Sequence, residues 1–195
     1  MSAVIPRLEL DHMPADLQGY LGPRVKRLKY LGELFKCAAN TPAVLLSFMH
    51  FTDALKDALP DRLTEAAVLT TATLMKNDYE RNQHERLSVR LGYGRDWVAE
   101  VEKLAPDAAT LMSEPERAVQ RYVIRAIDSR GTNVQPEFDA LAALLSPGEA
   151  VAIVMLVGRY ITHALVVNTL QLKPPVPSIF EDGFTGDGGP AKDKR

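Results

Sequence analysis

Glu65, Glu80 and His84 are the side chains of this sequence whose types and spacing suggest chemistry. A carboxylic acid withdrawn from water resists ionisation and an imidazole titrates near neutrality. Together they can move a proton to or from a carbon next to a carbonyl. Glu80 and His84 lie one turn apart on the same helical face. Glu65 is fifteen residues before Glu80, and in one straight helix, at about 1.5 Å per residue, that is roughly 22 Å, too far for cooperation.

A break between them is therefore required. Lys76, Asn77 and Asp78 supply it, because Asn and Asp favour helix starts, and Asn77 with Glu80 has the spacing of a capping box. Two antiparallel helices joined at Asn77 would return Glu65 towards Glu80 and His84. Before the break, Leu63 to Met75 is almost wholly apolar or small, which predicts a helix buried on most of its surface. After it, a stripe of Tyr79, Glu80, Gln83, His84, Leu87, Ser88 and Leu91 separates from a charged face of Arg81, Asn82, Glu85 and Arg86.

The elements that must hold this pair are also helical. Residues 1–22, with Pro6, Pro14, Gly19 and Gly22, read as an irregular N-terminal arm packing through Ile5, Leu8 and Leu10. Pro23 opens a first helix with Leu28, Leu31, Leu34 and Phe35 as its apolar side, and Thr41–Pro42 starts a second that stops before Pro60. Gly92 and Gly94 end the helix of His84, and Asp96 to Leu104 forms a short one holding the only tryptophan. Ser113 with Glu116 and Ser146 with Glu149 are capping boxes that open two more, with a short helix from Pro136 between them. No stretch alternates with period two between turn residues, so the expected fold is all-α, a bundle of about eight helices. The helical domain spans 23–172. Pro174, Pro175 and Pro177 then impose an extended C-terminal tail, 173–195, expected to be partly disordered or draped on a neighbour from Gly183 onwards.

At 195 residues the chain suits one domain with a real core. A formal net charge of -2 gives no reason to expect nucleic acid or an acidic membrane as the main partner. The single cysteine, Cys37, excludes an internal disulfide and a CxxC redox pair and suits a reducing, cytoplasmic setting. The first residues lack the apolar core of a signal peptide. Glu149 to Leu170 is apolar enough to raise the question of a membrane span, but Arg159 and His163 fall one turn apart on one face, so it reads as a core helix.

Leu59, Pro60, Arg62, Leu63 and Glu65, followed by Tyr79, Glu80 and His84, resemble the core of the carboxymuconolactone decarboxylase and AhpD-like superfamily. The resemblance is to its YEWxxH-type branch, with Arg81 where that branch has Trp, and it covers roughly residues 40–105, with Gly158, Tyr160 and Asn168 similar later. It implies an AhpD-like helical bundle that assembles as a trimer or hexamer with the site near subunit contacts. In the peroxidase members a Glu, a CxxC and a His share this region; aligned on His84, the cysteine positions fall on Asn77 and Glu80. Disulfide-forming peroxide reduction needs both thiols, so that activity is not expected. The decarboxylase branch implies proton transfer on an unsaturated lactone acid, with Glu65 and His84 as the acid–base pair, Glu80 orienting them, and no cofactor or metal.

Each residue also has a structural reading. Glu80 could only cap, Glu65 could be a first-turn acid, and His84 could be a core histidine bonded to Glu80. Tyr79, Phe48, Phe51, Met75 and Trp97 could line a substrate pocket or simply fill the core. His163 with Arg159 could clamp an anion or be a structural pair. Glu65, Glu80 and His84 could also offer a metal two oxygens and a nitrogen, but nothing supplies a fourth ligand. The sequence thus favours a decarboxylase-like enzyme acting on a small organic acid or lactone. The alternatives are a non-catalytic oligomeric ligand-binding protein and, last, a peroxidase-related protein using Cys37.

Overall fold

The computed structural model describes residues 5–181 and 184, and every regular element among them is helical. Nine α-helices are present: α1 (Ala15–Leu28), α2 (Glu33–Ala38), α3 (Pro42–Ala58), α4 (Asp61–Leu74), α5 (Asp78–Arg90), α6 (Arg95–Glu102), α7 (Glu114–Asp128), α8 (Gln135–Ala142) and α9 (Pro147–Leu170). The all-α expectation holds, with one helix more than the sequence suggested.

α4 is the axis of the bundle. Leu63 through Ala72 are all buried, and α7, α9, α5 and α6 pack around it. Its small residues let neighbours come close, and its hydroxyls find partners: Thr71 Oγ1 donates to the Ala67 carbonyl at 2.8 Å, and Thr70 Oγ1 accepts from Gln120 Nε2 of α7 at 3.0 Å. α9 has the length and apolarity of a membrane span, yet 56% of its most apolar window is buried inside the bundle. Both capping boxes, Ser113 with Glu116 and Ser146 with Glu149, form as the sequence predicted.

The start of the chain departs from expectation. Helix α1 begins at Ala15, not Pro23, and Pro23 lies inside it. Leu17 and Leu21, one turn apart and fully buried against Leu45 and Met49, repay the hydrogen bond that the proline removes. Only the segment before Ala15 is arm-like; Leu8 and Leu10 pack as expected, whereas Ile5 is exposed. The single helix anticipated from Pro23 through Phe35 is instead two, interrupted at Lys29 and Gly32. Gly32 is needed there, because a Cβ would collide with the Tyr79 hydroxyl, which accepts the Leu34 backbone N–H at 3.3 Å.

The supposed solvent face of α5 is also a correction. Asn82 and Glu85 are buried, because the proline-rich tail lies over them. Asn82 Nδ2 donates to the Val176 carbonyl (3.0 Å) and Arg86 Nε to that of Pro177 (2.9 Å). Glu85 Oε2 accepts from Ser178 Oγ (2.6 Å) and the Ile179 N–H (2.8 Å). Ile179 is fully buried beside Trp97 and Leu69. Periodicity on α5 could not reveal this, since the covering comes from residues nearly a hundred positions away. The expected disorder after Gly183 falls, apart from Phe184, outside the described residues.

Candidate functional site

The turn at Asn77 is built as two interlocking end motifs. α4 closes with Asn77 N–H donating to the Ala72 carbonyl (2.8 Å) and Lys76 N–H to that of Thr73 (3.2 Å), with Lys76 in the left-handed region at φ 51°. α5 then starts with Asn77 Oδ1 accepting the Glu80 N–H at 3.2 Å. The other half of the expected capping box is missing, because the Glu80 carboxylate turns inward rather than back to the Asn77 backbone.

The fold-back brings the named residues together. His84 Nδ1 lies 2.8 Å from Glu65 Oε2, which also accepts from Ser88 Oγ at 3.3 Å. Glu65 is past the first turn of α4 and only 2% exposed, so the helix-start reading does not describe it. The imidazole's other nitrogen, Nε2, is 3.1 Å from the Tyr160 hydroxyl and 3.6 Å from Glu80 Oε2. With Nδ1–H donated to Glu65, Nε2 is the acceptor and the phenol donates to it. Burial raises the Tyr160 phenol far above its ordinary range, so it stays a neutral donor.

Glu80 is the hub of a second set. Oε1 is 2.8 Å from His163 Nε2 and 3.5 Å from Arg159 Nη1. Because Asn77 Oδ1 is committed to the Glu80 N–H, its Nδ2 faces His163 Nδ1 at 3.2 Å, which assigns the His163 proton to Nε2 and hence to Glu80. Burial pushes the Glu80 carboxyl upward, but His163, then His84 and Arg159, outweigh it and hold the group well below the usual carboxylate range. Arg159 lies over the rings of Tyr160 (4.2 Å) and Phe48 (4.7 Å), and its Nε donates to Thr52 Oγ1 at 2.9 Å.

The remaining sequence candidates divide between site and core. Tyr79 packs 5.8 Å from the His163 ring and borders the site, as Phe48 does through Arg159. Met75 gives its carbonyl to Asn168 Nδ2 at 2.8 Å and serves the end of α4. Phe51 packs against the main core, and Trp97 belongs to a separate cluster with Tyr93 and a stacked Arg62, so both are packing residues. Sequence reasoning gave no site role to Tyr160, Asn77, Thr52 or Ser88. For Thr52 a spacing signal existed, since it pairs with Lys56 at i, i+4 on α3; Tyr160 and Asn77 carried none that pointed to the site, and Ser88 only its place on the stripe of His84. Among the described residues no group of three or more His, Cys, Asp and Glu side chains is arranged to hold a metal ion.

A groove of about 270 Å³, counting the solvent at its mouth, runs between α1 and α5 along Arg24, Val25, Tyr30, Phe35 and Gln83. Gln83, one of its lining residues, accepts from Tyr30 OH at 3.0 Å and places its Nε2 3.5 Å from Glu80 Oε2.

No family model matches the chain, and no curated protein sequence matches it. Solved structures do. The debrominase Bmp8, in a cysteine-to-alanine form in complex with 2,3,4-tribromopyrrole, shares 16% identity over 89% of this chain and 92% of its own, with a TM-score of 0.74. The alkylhydroperoxidase AhpD core of an uncharacterized peroxidase-related protein from Ralstonia eutropha JMP134 shares 18% over 92% of each chain, with a TM-score of 0.75. A protein of unknown function from Agrobacterium tumefaciens shares 18% over 72% of this chain and 96% of its own, with a TM-score of 0.63. These likenesses establish an AhpD-like helical fold, here with one cysteine and therefore without a CxxC pair.

Proposed function

We propose that this AhpD-like chain catalyses cofactor-independent proton transfer, as a decarboxylation or isomerisation of a small unsaturated or oxo acid or lactone. The observation that carries the reading is the relay of Glu65, His84 and Tyr160, with Nδ1 held at 2.8 Å by a buried carboxylate and Nε2 directed at a neutral phenol at 3.1 Å. Glu65 fixes the ring orientation and stabilises the imidazolium that forms when Nε2 takes a proton. In isomerisation the C–H bond breaks towards Nε2, its electron pair passes into the carbonyl, and the same proton returns at another carbon. In decarboxylation the C–C bond breaks, its electron pair passes into the dienolate as carbon dioxide leaves, and His84, which has taken a proton from solvent on Nε2 beforehand, gives that proton to the dienolate carbon. Tyr160, released from His84 by substrate, donates its hydroxyl to the enolate oxygen.

Thiol chemistry is the weaker reading. Cys37 is buried against Leu34, Tyr79, Val167 and Leu172, and burial raises its thiol above the ordinary value, which opposes thiolate formation. A non-catalytic role is favoured by one feature: His84 is bonded to Glu65 and His163 to Glu80, and all four side chains are buried. Self-association as a trimer or larger belongs to the same proposal, supported by exposed Val151, Met155 and Leu165 on α9; a monomer by light scattering would remove it.

The test is deuterium uptake from D₂O at the carbon beside the carbonyl in a panel of 2-oxo acids, unsaturated acids and lactones, followed by NMR. Catalysed uptake that falls at least about a hundredfold in Glu65→Gln and His84→Ala is expected, since general acid–base catalysis contributes roughly 10²–10⁴-fold. Unchanged uptake in both variants, or none above background with the native chain, would overturn the reading.

A further inference from the structure

We propose that Arg159 and Lys56 form an anion-binding subsite beside the Glu65–His84 pair, and that it takes the carboxylate of the substrate. The inference rests on the proton-transfer reading and narrows its substrate class from acids or lactones to acids.

Arg159 carries the first part of the argument. It is 5% exposed, and a guanidinium withdrawn that far from water needs its donors used. Thr52 aims it: the hydroxyl accepts Arg159 Nε at 2.9 Å while donating to the Phe48 carbonyl at 2.8 Å. The Phe48 and Tyr160 rings lie 4.7 and 4.2 Å from the guanidinium carbon, and such stacking leaves hydrogen bonding to the edge of the group. Yet Nη1 makes no hydrogen bond. It stands 3.5 Å from Glu80 Oε1, whose short bond is to His163 Nε2 at 2.8 Å. The fold has placed a buried cation and left part of its donor edge unspent.

Lys56 is the second, independent part. It follows Thr52 by one helical turn on α3, the helix that packs against α9, and is half-buried. No hydrogen bond or ion pair joins its ammonium to another described residue. Burial lowers its affinity for a proton; Glu65 opposes this, Arg159 and Arg24 add to it, and Glu80 opposes it less than Glu65 does. One turn after Thr52, whose hydroxyl accepts Arg159 Nε, Lys56 lies on the same stretch of α3 that aims Arg159. Arg159 and Lys56 balance Glu65 and Glu80 in formal charge, so a carboxylate can enter without facing a net negative recess. Glu80 joins the two halves of the site, with Oε1 3.5 Å from Arg159 Nη1 and Oε2 3.6 Å from His84 Nε2, so a carboxylate held by Arg159 keeps the exchangeable carbon, which in a 2-oxo acid lies beyond the carbonyl, near the imidazole. Charge-assisted hydrogen bonds of this kind are worth roughly 1.5–3 kcal/mol, a ten- to hundredfold preference.

The experiment compares pyruvate, 2-oxobutyrate and crotonate with their methyl esters by calorimetry and ligand-observed NMR, on the native chain, Arg159→Met, Lys56→Met and His84→Ala. At least one acid is expected to bind ten- to a hundredfold more tightly than its ester, with Lys56→Met and Arg159→Met each cutting that preference at least fivefold. His84→Ala is expected to keep the preference while losing deuterium uptake. The proposal is overturned if no acid binds, if acid and ester bind alike, or if Lys56→Met keeps the full preference. Arg159→Met has to be judged by its melting profile; Lys56→Met, at a half-buried position, decides alone if that variant does not fold. Acid binding that needs Lys56, without any proton exchange, would leave the subsite standing and remove the catalytic reading.

Discussion

Replacing Glu80 by glutamine tests whether the buried charge set is mutually dependent. The carboxylate faces His163 at 2.8 Å, Arg159 at 3.5 Å and His84 at 3.6 Å. Breaking a buried pair by removing one partner costs about 3–5 kcal/mol, because the other charge is left uncompensated. Glutamine keeps an acceptor for His163 Nε2–H, so the lower end, about 3 kcal/mol, is expected. At 195 residues, where each 1 kcal/mol shifts the midpoint by about 2–4 °C, the variant should melt roughly 6–12 °C lower at neutral pH. The pH dependence is the sharper part. Glu80 is held well below the usual carboxylate range in the folded chain, so the unfolded chain takes up the proton first as pH falls. The stability it contributes is fully present above the unfolded value of about 4.3 and is lost as pH drops through the lower folded one. Urea melts of both proteins from pH 8 to pH 3 should give a constant difference down to about pH 5 and a shrinking one below. An unchanged midpoint at pH 7, or a difference that grows in acid, would refute the argument that Arg159 and the two histidines depend on this carboxylate.

Other perturbations probe the surroundings. Ile179→Ala, which empties a fully buried position under the tail, should cost roughly 2–4 kcal/mol in denaturant melts and expose the tail to limited proteolysis. Glu102 has its carboxyl raised to about 8 by burial and then by neighbouring Glu85, so the folded chain must hold a proton there that the unfolded chain releases above about pH 4.3. Native stability therefore falls as pH rises towards 8, and Glu102→Gln should raise the melting temperature more at pH 8.5 than at pH 5. Cys37→Ala should leave deuterium uptake unchanged, and loss of uptake on that substitution would revive thiol chemistry.

The local rules were sufficient wherever the determining atoms are close in sequence. Asn77 caps α5, Ser113 and Ser146 cap α7 and α9, and the apolar run of α4 is buried, each decided within a few residues of the position that shows it. The same locality made Glu65 and His84 visible as partners once a turn at Asn77 was required by distance. Pro23 shows the limit of that logic. Its helix-start signal was overridden because Leu17 and Leu21 reach Leu45 and Met49 on α3. Asn82 and Glu85 show it again, since their burial depends on a tail arriving from Val176 to Ile179.

The sequence by itself determined an all-helical chain, its principal caps, the absence of a CxxC pair and the carboxylate–imidazole set. Only the tertiary structure decided that Tyr160 meets His84, that His163 rather than the Asn77 backbone receives the Glu80 carboxylate, and that Arg159 keeps an unspent donor. The reason is physical. Helix periodicity and capping arise from contacts three or four residues apart, whereas the direction of a buried polar side chain is set by whichever donor or acceptor the packing of distant helices brings within 3 Å.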